Sequence, residues 1–351
     1  MSQKDYDRKN NKSQLDGNRI AVTGPCSISS VTVVYNGADV LRRHLESLKC
    51  QTRALDQIVV VDNASGDGTG KLLANEYPEV TLLTLPENRG VGGGLAVGLA
   101  YAAFVQRHDW VWIFDQDSAP APNALDRLLS GLLHLNGSEA STAILAPVCV
   151  NLETGMLYPG LTLREGRFEP TATKSDQAVT LVDMVISSGS LMRREAIERA
   201  GLPRADFFMD FVDYEHCLRL RHHGFSIALV RDSILDHAIG TSHDVNFFGR
   251  IRFWADHVPW REYYMARNET FTMWQYSPRL ATKIFVLHRL AQHAMGILLF
   301  GKNKVSCLRM MCRGFLDGRA GRLGIRFGPE RTDPQSTGSI RAEKKVFKPG
   351  V

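Results

Sequence analysis

The chain has 351 residues, of which 44% are hydrophobic and 23% charged, enough to bury a full core and more than one small domain requires. Six cysteines without short paired spacings (Cys26, Cys50, Cys149, Cys217, Cys307, Cys312) argue against a zinc ribbon or a disulfide framework and read as reduced thiols of a cytoplasmic protein. The net charge of +5 conceals an asymmetry: from Arg250 onward there are 19 Lys+Arg against 7 Asp+Glu, a basic end that points to a polyanionic neighbour, nucleic acid or an anionic lipid surface.

Residues 1–26 are polar, lack the apolar core of a secretory signal and are expected to be disordered. From 27 to about 151, short β-branched runs alternate with longer amphipathic stretches, the pattern of βαβ units around a mainly parallel sheet. Strands are expected at 29–35, 57–62, 80–85 and 110–114, with helices at 38–51, 68–77 and 91–107. Beyond 151 the regularity loosens: a strand is expected at 179–187, and helices at 194–200 and 213–223, the last closed by Gly224. After about 250 the chain turns aromatic and basic. The apolar stretch 284–300 is interrupted by His288, Arg289, Gln292 and His293, which suits an in-plane amphipathic helix better than a spanning one. Residues 331–351 are polar and expected to be disordered.

Four polar turns fall where strands end in the first half, the place where open α/β sheets bind ligands. They are Tyr35-Asn36-Gly37, Asp62-Asn63-Ala64-Ser65, Glu87-Asn88-Arg89-Gly90 and Asp115-Gln116-Asp117. Asp62 suits a base or ribose contact, or equally an Asx turn. Asn88 and Arg89 precede Gly92-Gly93-Gly94, which reads either as a helix start meeting phosphate or as close helix packing. Asp115 and Asp117 end an apolar strand and repel each other unless compensated; Mg²⁺ or Mn²⁺ would compensate them, and a solvated acidic turn is the plainer alternative. Leu95 stands where a dinucleotide fingerprint needs its third glycine, and Gly66-Asp-Gly-Thr-Gly-Lys71 has the wrong spacing for a phosphate-binding loop. In the second half, Asp213 opens a helix, as an N-terminal carboxylate or as a general base. His237, in an apolar run, is a structural histidine or a metal ligand.

Taken together these residues resemble family 2 inverting glycosyltransferases of the GT-A fold, and more narrowly bacterial rhamnosyltransferases of O-antigen and other surface polysaccharides. The resemblance runs from 27 to 243. Val31-Thr-Val-Val-Tyr-Asn-Gly37, Val60-Val-Asp-Asn-Ala-Ser65, Glu87-Asn-Arg-Gly90, Asp115-Gln-Asp-Ser118, Ser188-Gly-Ser190 and Asp210-Phe-Val-Asp-Tyr-Glu-His-Cys-Leu-Arg-Leu220 carry it. It implies a catalytic domain over 27–245, with a donor half (27–120) and an acceptor half (121–245), followed by a helical basic region (246–330).

The resemblance further implies that Tyr35, Asn36, Asp62, Asn88, Arg89 and Asp115 bind the donor, with Asp62 at the base and Asp115 at the ribose. Asp117 and His237 would hold the metal, Asp213 would be the general base, and Ser188 and Gly189 would lie beside the sugar or acceptor. Val212 stands where several relatives carry a second acid. The implied activity is transfer of a sugar, L-rhamnose from dTDP-L-rhamnose, to a hydroxyl of a lipid-linked glycan on the inner membrane face. There the basic C-terminal region would dock peripherally. Galactofuranose or a hexose from a UDP donor is the nearest alternative. A nucleotidyltransferase would need a basic Gly-rich loop at the first strand, which Tyr35-Asn36-Gly37 does not supply. A non-catalytic polyanion-binding module leaves Asp115, Asp117 and Asp213 unexplained, and the Lys and Arg residues form no nucleic-acid motif.

Overall fold

A computed structural model describes residues 26–329 apart from 136, 152–154, 172–176, 238–242, 248–249 and 278. Apart from Cys26, the tails expected at 1–26 and 331–351 lie outside the described residues. The first half runs β1 (Ile28–Val34), α1 (Ala38–Lys49), β2 (Gln57–Asp62), α2 (Thr69–Glu76), β3 (Thr81–Thr84), α3 (Gly90–Ala100) and β4 (Trp110–Asp115). Its strands are parallel in the order β3-β2-β1-β4. β1 is buried along its whole length, which explains an apolar run with no solvent-facing alternation. Alternate residues still serve opposite faces: Val31, Val33, Val59 and Val61 pack with Leu95 and Leu99 of α3, whereas Val34 and Val60 pack with Leu41, Leu45 and Leu72 of α1 and α2.

The glycine run of α3 is resolved in favour of close packing along its length. A Cβ at Gly94 or Gly98 would stand 2.5 Å from Val33 Cγ1 or 2.3 Å from Val31 Cγ1, so the helix backbone lies directly on the sheet. The helix expected at 91–107 is regular only to Ala100; a wider turn (Tyr101–Val105) follows, and Arg107 in the left-handed conformation (φ 60°) ends it.

The second half comprises β5 (Ala119–Pro120), α4 (Ala124–Gly131), β6 (Thr142–Asn151), β7 (Met156–Tyr158), β8 (Leu161–Arg164), β9 (Arg167–Pro170), β10 (Val179–Val182), β11 (Leu191–Arg193), α5 (Arg194–Ala200), α6 (Val212–His222) and β12 (Ser226–Asp236). β11 enters antiparallel between β4 and β6, β12 runs parallel to β6, and β10 pairs antiparallel at the edge. The sheet is therefore parallel in the first half and mixed beyond it. The strand expected at 179–187 stops at Val182, because the chain then pairs Met184 with Leu161 and leaves the sheet edge. The two long strands β6 and β12 meet at Pro147 and Val230, just before a register shift. Such an irregularity is what admits a proline inside a sheet.

The region expected to be helical from 246 instead begins inside a hairpin, β13 (His243–Phe247) and β14 (Arg250–Trp254), before α7 (Pro259–Tyr276), α8 (Leu280–Phe300) and α9 (Lys304–Arg319). A Cβ at Gly314 or Gly318 would lie 2.2 Å from Tyr263 O or 2.3 Å from Arg267 O, so α9 packs backbone to backbone on α7. Buried Asp317 accepts a hydrogen bond from the Tyr263 hydroxyl (2.8 Å) and sits beside Arg322 and Arg326. Two C-terminal sequence segments, 261–267 and 317–322, are thus the two sides of one packing seam. Among the described residues no helix is long and apolar enough to cross a membrane.

Candidate active site

β4 carries buried Trp112 and Phe114 outward to Asp115, where the chain leaves the core. The next residue turns back: Gln116 Oε1 accepts the Tyr35 N–H (2.8 Å), and its side chain fills the space where a Cβ of residue 37 would be. Gln116 thereby ties the ends of β1 and β4 together and separates Asp115 from Asp117. Ser118 is fully buried and is the junction of the site. Its hydroxyl meets Ser188 Oγ (2.6 Å) and His237 Nδ1 (3.0 Å), and its carbonyl oxygen lies 2.6 Å from His44 Nδ1. Burial pushes His44 down to about 4, so its ring is neutral. A carbonyl can only accept, hence Nδ1–H donates to Ser118 O, and Nε2 accepts from the Thr32 hydroxyl (2.8 Å). Ser188 Oγ also accepts the Asp115 N–H (3.2 Å). Gly189, at φ 79°, turns the chain into β11, donating its N–H to Ile113 O and accepting from Trp112 Nε1. Ser188 thus braces the Asp115–Ser118 turn, and Gly189 ties the start of β11 to β4.

His237 follows β12, its N–H bonded to Val150 O (3.0 Å) and its ring 7% exposed. Nε2 lies 3.7 Å from Asp115 Oδ2 and Nδ1 3.5 Å from Asp117 Oδ1. Side chains from the two halves of the sheet therefore converge at the end of β4. Burial raises the Asp115 carboxyl above its ordinary range; the His237 ring opposes this and the Asp117 charge adds to it. Among the described residues no three or more His, Cys, Asp or Glu side chains are grouped so that they could hold a metal ion. The two carboxylates Asp115 and Asp117 are the donors that fit a hard divalent ion of the Mg²⁺ type, which is ordinarily held by one or two carboxylates together with substrate phosphates.

The donor-side turns interlock. Asp62 is buried and Oδ1 accepts the Ser65 N–H (2.9 Å), an Asx-type turn. Asn36, left-handed at φ 50°, donates its N–H to Ser65 Oγ and accepts the Gly66 N–H. Asn88 Oδ1 accepts the Gly90 N–H (2.8 Å), while the Arg89 side chain is exposed. Asn63 is a functional support that the sequence reading passed over. It accepts the Arg89 N–H (2.8 Å) and donates to Gly90 O (2.9 Å), holding the turn before α3 against the end of β2. Asn directly after an apolar strand was its only sequence signal. Because Val34 is opposite Asp62 and Val33 opposite Asp115 in register, Asn36, Asp62 and Asp115 stand in a row at adjacent strand ends.

Asp213 opens α6 behind a strained loop. Phe208, Asp210 and Phe211 are all left-handed (φ 68°, 57° and 62°), at a cost of roughly 1 kcal/mol or more each for residues with a Cβ. Gly90 (φ 69°) has no room for a Cβ, which would lie 2.1 Å from Phe208 O, and the Gly92 N–H donates to that oxygen (3.0 Å). On the other side Arg261 pairs with both Asp210 oxygens (3.0 and 3.2 Å). Asp213 borders a small apolar cavity of about 20 Å³ lined by Leu95, Ile113, Val185 and Met192. Burial pushes its carboxyl up to about 7; the Tyr214 N–H (2.9 Å) opposes the shift, and the charges of Asp115 and Asp210 add to it. Asp213 is thus within electrostatic reach of Asp115. Its neighbour Glu215 is fully buried and committed to Arg219 and the Tyr276 hydroxyl.

A parallel half-sheet with acidic turns at its strand ends thus meets a second half that supplies a histidine and a carboxylate held above its ordinary range. Residues 29–201 match the model of glycosyl transferase family 2, which places that segment in the family. It is 26% identical over 303 residues, 85% of this chain and 97% of the relative, to the dTDP-rhamnosyl transferase RfbF of Shigella flexneri. It is 27% identical over 260 residues, 71% of this chain and 83% of the relative, to the galactofuranosyltransferase GlfT1 of Mycobacterium tuberculosis. The fold is similar to that of GalNAc-T7 with UDP, GalNAc and Mn²⁺ (TM-score 0.58, 15% identity, 84% of this chain and 56% of that one). It is also similar to S. aureus TarS 1–349 with UDP (TM-score 0.51, 13% identity, 87% and 98%).

The raised carboxyl of Asp213 makes a prediction that needs no substrate. Unfolded, an Asp loses its proton near 3.8; folded, Asp213 keeps it to about 7. The native state therefore loses stability as pH rises through this window, and the loss is complete above it. Asp213→Asn is expected to melt higher than the parent protein at about pH 8, by about 2–4 °C for each kcal/mol relieved, and to melt alike at about pH 4. Equal melting at both pH values would contradict the raised carboxyl.

Proposed function

We propose that the protein is a metal-dependent inverting transferase that moves L-rhamnose from dTDP-L-rhamnose to a hydroxyl of a lipid-linked glycan in surface polysaccharide synthesis. The observation that carries the chemistry is the placement of one carboxyl poised near 7, Asp213, across from a carboxylate pair and a histidine that suit a metal-bound diphosphate. The donor reading is supported by similarity along nearly the whole of a dTDP-rhamnosyl transferase. Similarity to galactofuranosyltransferases supports UDP-galactofuranose as the second reading.

In this reading Asp62 meets the base, Asp115 the ribose, and Asn36, Arg89 and the backbone near Tyr35 and Asn88 line the donor crevice. Asp213 accepts the proton of the acceptor hydroxyl; a base with a pKa near the working pH combines availability with driving force. The acceptor oxygen then attacks the anomeric carbon from the face opposite the nucleoside diphosphate, inverting its configuration. Mg²⁺ or Mn²⁺ bound by Asp117 and His237 would neutralise charge on the diphosphate. Ser118 orients His237 by fixing Nδ1, as outer partners of ligating histidines do.

The C-terminal helices suit an anionic membrane surface on the cytoplasmic side. Leu280, Ile284, Leu287, Met295 and Leu298 are exposed on one stripe of α8, about 27 Å long at 1.5 Å per residue. Between residues 279 and 322 the single acid is buried Asp317, against Arg279, Lys283, Arg289, Lys302, Lys304, Arg309, Arg313, Arg319 and Arg322. A second copy would bring cations against cations, whereas anionic headgroups complement them.

Two measurements test this reading. Protection of the protein against melting by dTDP-L-rhamnose or UDP-galactofuranose should require Mn²⁺ or Mg²⁺ and should be lost in Asp117→Ala; metal-independent protection in that variant contradicts the metal role. The parent protein should float with phosphatidylglycerol vesicles and not with phosphatidylcholine vesicles, and Ile284→Asp/Leu298→Asp should float several-fold less. Equal recovery of both proteins removes the membrane surface from the account.

A further inference from the structure

We propose that Asn268, on α7, is a positioning residue for the base, holding Asp213 in the crevice through the backbone of residues 207–210. The proposal rests on the assignment of Asp213 as base.

α6 has no side-chain cap, and Phe211 in the cap position is itself left-handed. The loop that delivers Asp213 therefore lacks the local support that a helix start ordinarily receives from a capping Ser, Thr, Asp or Asn. Left-handed residues at 208, 210 and 211 also prevent the loop carbonyls from pairing in a regular ladder. Fully buried Asn268 meets them from outside. Its Nδ2 lies 3.1 Å from Phe207 O, 2.7 Å from Met209 O and 2.9 Å from Asp210 O. An amide carries two hydrogens, so one of the three bonds is shared. Its Oδ1 accepts Arg267 Nε (2.8 Å), which fixes the orientation of the amide with its hydrogens toward the loop.

The neighbouring roles separate cleanly. Arg267, also fully buried, donates to Gly324 O, Asp206 O and Phe207 O and lies over the Tyr264 ring; it binds the C-terminal segment to the body of the fold. Asn268 spends its side-chain donors entirely on the loop before Asp213. The opposite side of that loop rests on the start of α3 at Gly90 and Gly92. Residues 207–210 are thus held between α3 and α7; on the α7 side Arg261 binds the Asp210 carboxylate and Arg267 the Phe207 carbonyl, while Asn268 alone of the three reaches the carbonyls of Met209 and Asp210. A misplacement of the base by about 1 Å can cost on the order of a hundredfold in rate, so losing this support should appear in turnover before it appears in donor binding.

The test compares the full-length parent with Asn268→Ala and Asn268→Asp. Aspartate keeps the size and the Arg267 partner but has no hydrogens for the carbonyls. With dTDP-L-rhamnose or UDP-galactofuranose, Mn²⁺ and water as acceptor, release of the nucleoside diphosphate should fall about ten- to a hundredfold in kcat while the donor KM stays within about twofold. Amide exchange at residues 207–213, measured without substrate, should quicken about tenfold or more, with β1 to β4 unchanged. Should both variants fail to fold, Arg261→Gln, which removes the half-exposed partner of Asp210 from the same loop, is expected to show the same split of kcat from KM. Unaltered exchange at 207–213, or a raised donor KM at unaltered kcat, overturns the proposal. Asp213→Asn run in parallel separates the two levels: if it turns over normally, the base assignment has failed; if it is inactive while the Asn268 variants match the parent, only the positioning role has failed.

Discussion

The site depends on one buried serine, through its hydroxyl and its carbonyl. Ser118 joins β1 through His44 and Thr32, the turn before β11 through Ser188, and the end of β12 through His237. Each partner belongs to a different element, and all of them meet where β4 leaves the core. A fully buried polar group must be hydrogen-bonded or it costs roughly 1–3 kcal/mol, so this junction can close in few ways. With it closed, the His237 ring lies 3.7 Å from Asp115 Oδ2 and 3.5 Å from Asp117 Oδ1.

The C-terminal helices belong to the same unit. α7 buries polar as well as apolar side chains, Arg267, Asn268 and Thr270 among them, because one side of it faces a strained loop whose carbonyls need donors and another faces glycines of α9. Stability and catalysis meet there: the strain of three left-handed residues is compensated by hydrogen bonds from α7 and by the Arg261–Asp210 pair. Burial of the same region lifts the Asp213 carboxyl to a value useful to a base.

The donor half was legible in the sequence because its strands are buried on both faces and its ligand-facing turns follow them directly. β2 matches its expected bounds, and the other elements of this half shift by a residue or two at most, apart from the end of α3; in the second half α5 matches as well. β6 escaped because Pro147 interrupts it, and β12 because charged Arg231 and Asp232 stand in the middle of an apolar run. Asp115, Asp117, His237 and Asp213 were visible as residue types at strand and helix ends. Asn63, Gln116, Ser118, His44 and Asn268 were not read as supports, since a buried polar side chain announces itself by what it meets in space and not by its spacing. For 188 and 189 the resemblance implied a place beside the sugar; what the sequence did not announce is that the Ser188 hydroxyl also braces the acidic turn.

In the proposed function the labour is divided: one half would fix the nucleotide and the other, through the loop before α6, would supply the base. The division is tested most directly by Asp213→Asn with the donor that the parent protein turns over, dTDP-L-rhamnose or UDP-galactofuranose, in the presence of Mn²⁺. The account predicts donor protection equal to that of the parent and nucleoside diphosphate release slower by about a hundredfold or more; release at the parent rate would contradict it.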